Sequence, residues 1–237
     1  MFKVIKLNTV VYALCAAVLV GALVPAFLMA GKKSDAQAFM QAPKKVIVLD
    51  SGHGGADPGV TGVKTGVKES ELNLKMALVL ADILSSDGYK VVQTRYGEGS
   101  TVDGAFDKSA DMQARKETIL RADPVAVVSL HMNRYEDASR RGVQVFYSTD
   151  GSEALAEAMQ AHLNATMNVP TLNRGFDPIR GDYFIAQCVG APSVIIECAF
   201  LSNPIDEALI TDPTYRLRLA GEIERALKSY LNQSENN

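Results

Sequence analysis

The sequence predicts an α/β fold, a mostly parallel twisted sheet with helices on both faces, forming a single domain behind an N-terminal transmembrane segment. Three observations predict it. Continuous apolar runs at 46–49, 125–130 and 193–198 have the length and β-branched content of strands buried on both faces. Helical patterns of roughly 15 residues separate the strands, the alternation that produces parallel sheets. The opening residues are different in kind, with a short basic stretch at 1–6 followed by an uncharged one at 7–30.

Lys3 and Lys6 precede the apolar stretch from Leu7 to Ala30. About 20 apolar residues suffice to cross a bilayer as a helix, whereas the core of a cleavable signal runs to about 7–15. A transmembrane signal anchor is therefore expected, with a cleaved signal peptide as the alternative offered by Pro25, Ala26 and Ala30. Lysines on both sides leave the orientation open. The polar run 31–43 reads as a linker, 44–232 as the folded domain and 233–237 as a polar tail. The chain of 237 residues, 47% of them apolar, holds enough material for one core, and a monomer is expected. A net charge of -3 without a basic run excludes nucleic acid as the main partner. Cys15 falls in the membrane stretch. Cys188 and Cys198 read as buried small apolar residues rather than a disulfide, and no CxxC motif provides a thiolate metal site.

Val46 to Leu49 is the first strand, ending abruptly at Asp50-Ser51-Gly52-His53-Gly54-Gly55, where glycines permit tight turns. A helix follows, with Leu72, Met76, Val79, Leu80 and Ile83 at helical spacing and Glu69 just ahead of it. Residues 89–94 form a short strand. Residues 107–122 form a second helix, with Met112, Ile119 and Leu120 apolar, Arg115 and Arg121 on other faces, and Asp123-Pro124 as its stop. Val125 to Leu130 is a strand that delivers His131-Met132-Asn133 at its carboxyl end. Residues 142–147 give another strand and 152–167 a helix carrying Leu155, Ala158, Met159, His162 and Leu163. The stretch 168–187 reads as a loop able to overlie a site. Ser193 to Cys198 is the last strand, Asn203-Pro204 a turn and 215–231 the closing helix.

Strand ends and the loops after them thus present His53, Glu69, His131 and Glu197. In an open α/β sheet that edge is where ligands bind. Two imidazoles and a carboxylate suit a catalytic zinc with one open position, and a further carboxylate can act as general base for amide hydrolysis. The spacing is not HExxH, so the sheet must assemble the ligands. Each residue alone has a structural alternative: Glu69 serving a helix dipole, His131 bonding a strand end, Glu197 paired with an arginine such as Arg180.

The blocks DSGHGGADPG, KESELNL, SLHMN and IIECAFLSNP, in this order, resemble the signature blocks of zinc-dependent N-acetylmuramoyl-L-alanine amidases over essentially all of 44–231. The resemblance implies a catalytic domain in which His53, Glu69 and His131 are zinc ligands and Glu197 is the catalytic glutamate. It implies peptidoglycan as substrate, cut between the lactyl group of muramic acid and L-alanine. Ser51 stands where the family commonly has proline, and Glu71 competes with Glu69 as a ligand, although Leu72-Asn73 aligns Glu69. Asn133 and the glycine-loop backbone are candidates to hold substrate or oxyanion. Arg174 and Arg180 are candidates for stem-peptide carboxylates, or solvated loop residues. The arrangement looks most like the membrane-anchored amidases that strip spore-cortex peptides so that muramic δ-lactam can form. It implies a catalytic domain on the cell-wall side of the membrane, with a polysaccharide deacetylase or activator as a possible partner. Zinc peptidases, wall deacetylases and non-catalytic wall-binding proteins are the alternatives.

Overall fold

The computed structural model describes residues 44–102 and 106–234. The expected anchor at 7–30, the expected linker at 31–43 and Cys15 lie outside these residues. Among the described residues no helix is long and apolar enough to cross a membrane.

Six strands form one mixed sheet in the order β2-β1-β3-β6-β4-β5: β1 (Val46–Ser51), β2 (Lys90–Gln93), β3 (Ala126–Asn133), β4 (Gln144–Tyr147), β5 (Ile179–Arg180) and β6 (Ser193–Phe200). The pairs β1–β2, β1–β3, β3–β6 and β4–β5 are parallel, whereas β4 runs antiparallel to β6. The mostly parallel expectation holds with that one reversal, which the pattern of GVQVFY could not reveal because it reads the same in either direction.

The helices are α1 (Glu69–Ser86), α2 (Lys108–Ala122), α3 (Asp150–Leu163), α4 (Val169–Leu172), α5 (Phe184–Gln187), α6 (Pro204–Thr211) and α7 (Pro213–Ser234), with a π-helical turn at Asn164–Asn168 between α3 and α4. Glu69 is the first residue of α1 rather than a residue ahead of it. The expected loop at 168–187 contains α4, β5 and α5, and the turn at Asn203-Pro204 opens α6. Asn203 Oδ1 caps α6 by accepting from the amides of Ile205 and Asp206, and Pro204 occupies the first turn, where its missing amide costs nothing. Asp107 caps α2 in the same way, through Ser109 and Ala110.

Successive strand residues point to opposite faces of a sheet, and here the two faces differ. Ile47, Leu49, Val128, Leu130, Val145 and Ile196 point into one large apolar cluster with Leu80 and Leu84 of α1, Leu155 and Met159 of α3, and Ile223 and Leu227 of α7. On the other face Val48 and Val127 form a smaller cluster with Ile119 of α2 and Ile185 of α5, flanked by half-buried Val92, Met112, Phe184 and Val189. Towards the carboxyl ends of the strands that thinly covered face becomes polar, beginning with Asp50 and Ser129, which are direct register partners.

Candidate active site

One row further along the same face, His131 on β3 is the register partner of Glu197 on β6, which in turn faces Gln144 on β4. Register partners point their side chains the same way, so the sheet itself places the imidazole beside the carboxylate. β3 continues to Asn133, which puts His131 inside the strand rather than after it.

Glu69 reaches this row from the first turn of α1. Its Oε1 lies 2.9 Å from His131 Nδ1 and 3.2 Å from His53 Nε2. Among the described residues these three form the group that could hold a metal ion, with one donor atom from each lying within 4.8 Å of the others. A tetrahedral zinc with bonds of about 2.0–2.1 Å requires donor atoms about 3.3 Å apart, close to the spacings of Glu69 Oε1 from the two imidazoles. Backbone amides fix the carboxylate: Val60 N donates to Oε2 at 2.8 Å and Met132 N to Oε1 at 3.1 Å. Gly59 has a φ of 64°, and a Cβ there would strike Glu69 Oε2; a Cβ on Gly52 would strike the His131 ring. These two glycines make room for Glu69 and His131.

His53 has a φ of 61°, a left-handed conformation that costs a non-glycine residue free energy and must be held by its surroundings. Two buried arginines hold it. Arg115, 1% exposed, donates from Nη1 to Ser51 O at 2.6 Å and from Nη2 to His53 O at 2.6 Å. The same guanidinium pairs with Asp50 at 2.8 Å and Asp111 at 2.7 Å. Arg95 donates to the carbonyls of Ser51, Gly52 and Ser70. Burial pushes the Asp50 carboxyl up, but the Arg115 charge and the hydroxyls of Ser129 and Thr94 outweigh it and hold the carboxyl below its usual range. On the outer side, Asp57 Oδ2 lies 2.9 Å from His53 Nδ1 while Asp57 Oδ1 accepts from Gly59 N. A carboxylate at Nδ1 leaves Nε2 facing Glu69.

Burial opposes ionisation of Glu69, yet the hydrogen bonds and charges of His131 and His53 hold its carboxyl well below the usual range. Glu197 is different. Burial raises its carboxyl to about 7; the imidazoles of His131 and His53 oppose the rise and the charge of Glu69 adds to it. Glu197 Oε2 is buried and has no hydrogen-bond partner among the described residues. A cluster of two imidazoles and one carboxylate, with a second carboxylate free to exchange a proton, can hydrolyse an amide or ester.

The family model for N-acetylmuramoyl-L-alanine amidases (Amidase_3) matches residues 47–229. The chain belongs to this amidase family. The germination-specific N-acetylmuramoyl-L-alanine amidase of Bacillus subtilis (strain 168) is 30% identical over 196 residues, covering 80% of this chain and 81% of that protein. The probable cell wall amidase LytH of Staphylococcus epidermidis (strain ATCC 12228) is 30% identical over 188 residues, which span 58% of its length. Among solved structures, the CwlD amidase of Clostridioides difficile, determined in complex with the GerS lipoprotein, matches with a TM-score of 0.73 and 33% identity, covering 80% of this chain and 99% of that one. The catalytic domain of CwlV from Bacillus (Paenibacillus) polymyxa matches with a TM-score of 0.68 and 27% identity, covering 79% and 98%.

The amidase fold treats the remaining sequence candidates unequally. Asn133 ends β3 with its Oδ1 accepting from Arg134 N. Arg180 pairs with Asp150 at 2.6 Å on the sheet's edge, and no arginine among the described residues pairs with Glu197. Arg174 lies over the Phe176 ring at 5.2 Å. Glu71 is not a member of the metal-holding group, and His162 pairs with Glu222 at 2.8 Å. Cys188 and Cys198 are both free thiols; Cys198 is buried but Cys188 only half so. Arg115 is the principal correction, since the sequence puts it on a side face of α2 with Leu120 inside, whereas Arg115 is buried and Leu120 is 48% exposed. Asp57 and Arg95 carry no signal in the local sequence, and Asp50 carries only its place at the end of an apolar strand.

Proposed function

We propose that the protein hydrolyses the amide between the lactyl group of N-acetylmuramic acid and L-alanine, with zinc bound by His53, Glu69 and His131 and with Glu197 as the proton carrier. A bound zinc would supply a water of lowered pKa and a polarised carbonyl. Glu197 accepts the proton of the attacking water and delivers it to the departing amine of L-alanine. A cation held at the His-Glu-His set would draw the Glu197 carboxyl down towards its ionised form, in which it can accept that proton. Asn133 and the amides of the glycine loop line the approach of the substrate. The observation that carries the reading is the buried, unpartnered Oε2 of Glu197, one strand away from His131.

The similarity to a germination-specific amidase and to CwlD supports a role on spore-cortex peptidoglycan, where removal of the peptide permits muramic δ-lactam formation. The complex of CwlD with the GerS lipoprotein supports a lipoprotein partner. The apolar stretch 7–30 tethers the catalytic domain on the extracytoplasmic side in this reading, where a deacetylase is a second candidate partner. Digestion of purified sacculi and cortex, with and without a chelator, tests metal, bond and substrate together. New amino-terminal alanine that disappears with the chelator is expected. A new amine on the sugar, or a cut inside the peptide, would reassign the enzyme to the deacetylases or peptidases. Equal action on both wall types would remove the cortex assignment.

A further inference from the structure

Beyond Glu197, on the same face of the sheet, the β3–β4 loop and the segment before β5 enclose a cavity of about 340 Å³ lined by Tyr135, Arg140, Arg174 and Phe176. The Arg140 guanidinium is clamped among rings, 4.7 Å from the centroid of Tyr135, 5.6 Å from Phe176 and 5.7 Å from Phe200. Stacking of this kind fixes the plane of the fork without using its donors. Nη2 donates to Gln144 Oε1 at 3.1 Å, Nε is buried without a partner, and Nη1 makes no hydrogen bond to the described protein. No carboxylate among the described residues pairs with Arg140. Asp137, which also lines the cavity, is engaged by the amide and hydroxyl of Ser139.

Gln144 faces Glu197 directly across the antiparallel pair, where opposed Cα atoms stand about 4.5–5.5 Å apart. The guanidinium is thus one side chain removed from the proton carrier. A substrate whose scissile amide lies at Glu197 would bring its next residue towards an immobilised, unpaired positive charge. We propose that this cavity is a carboxylate subsite in which Arg140, with Arg174 beside it, binds the free α-carboxylate of the residue that follows L-alanine in the stem peptide. The proposal rests on the amidase reading above. A site built around a guanidinium without a carboxylate partner rejects an analogue lacking the charge more strongly than an apolar pocket would.

Two soluble muropeptides that differ only at this group, one with the free carboxylate and one with the carboxamide, test the subsite. Wild-type enzyme should cleave the free acid with a kcat/KM about tenfold or more above that of the amide, the scale of one charged hydrogen bond. In Arg140→Gln the ratio should fall to about one, and in Arg140→Lys, which keeps the charge but loses the fork, it should be intermediate. Equal rates in the wild type, or a ratio that survives Arg140→Gln, would overturn the subsite while leaving the amidase reading intact. Cleavage of neither compound would overturn the amidase reading itself. The wild-type comparison depends on no variant, so a poorly folding Arg140→Gln does not remove the test.

Discussion

The two faces of the sheet solve different problems with the same strands. One face buries Leu49, Leu130, Val145 and Ile196 under α1, α3 and α7, and each fully buried side chain of this kind contributes about 1.5–3 kcal/mol. The other is covered by α2 and the single turn of α5, and near the strand ends it carries Asp50, Ser129, His131 and Glu197 in place of apolar residues. Polar groups there are buried at a desolvation cost, which Arg115 and Arg95 offset with hydrogen bonds to Asp50 and to the carbonyls of 51–53. The thick face stabilises the domain, while the thin face brings His53, Glu69, His131 and Glu197 together.

The sharpest way to break that division is at Glu197. Glu197→Gln keeps size and burial but cannot accept a proton, so kcat/KM should fall about 10²–10⁴-fold with unchanged melting temperature and zinc content. Wild-type turnover would contradict the role.

A pair of core substitutions then separates the faces. Arg115→Met leaves Asp50 and Asp111 buried without their cation and should cost about 3–5 kcal/mol in denaturant unfolding. Leu155→Ala on the thick face should cost a similar amount, about 2–5 kcal/mol. Only Arg115→Met should also weaken zinc binding, because only Arg115 holds the His53 carbonyl; equal zinc affinity in the two folded variants would remove the distinction.

Much of this division was legible in the sequence. The apolar strands, the helix carrying Leu72, Met76 and Leu80, and the ionisable residues at the strand ends all follow from local pattern. The arginine scaffold does not, because Arg115 interrupts the apolar stripe of α2 and its partner Asp50 lies on another strand. A signal was present nonetheless: Asp111, Arg115 and Ile119 recur every fourth residue and share one buried stripe, and Asp50 ends an otherwise apolar strand. The reversal at β4 left no such trace, since strand direction is set by the connection and not by alternation.

Smaller effects probe the outer support. Asp57→Asn should loosen the hold on the His53 ring and weaken zinc affinity about 10–100-fold, measured by competition with a chromophoric chelator. The acid limb of stability probes the inner support. Asp50 and Asp111 have folded-state pKa values below the ordinary 3.8; burial opposes the lowering, which comes from Arg115 together with the Ser129 and Thr94 hydroxyls for Asp50 and the Thr101 hydroxyl and amide for Asp111. Their contribution is complete above that ordinary value and is lost as pH falls through the lowered folded-state values. Unfolding free energy should therefore drop on acidification across that window, and less steeply in Asp111→Asn than in the wild type.

The central claim is that the thin face assembles one metal centre from His53, Glu69 and His131, with Glu197 beside it but not in it. Metal analysis of the purified proteins after dialysis against excess zinc tests this most directly. One zinc per chain is predicted for the wild type and for Glu197→Gln, and none for His53→Ala combined with His131→Ala. Zinc retained by the double variant, or lost from Glu197→Gln while that variant stays folded, would contradict the account.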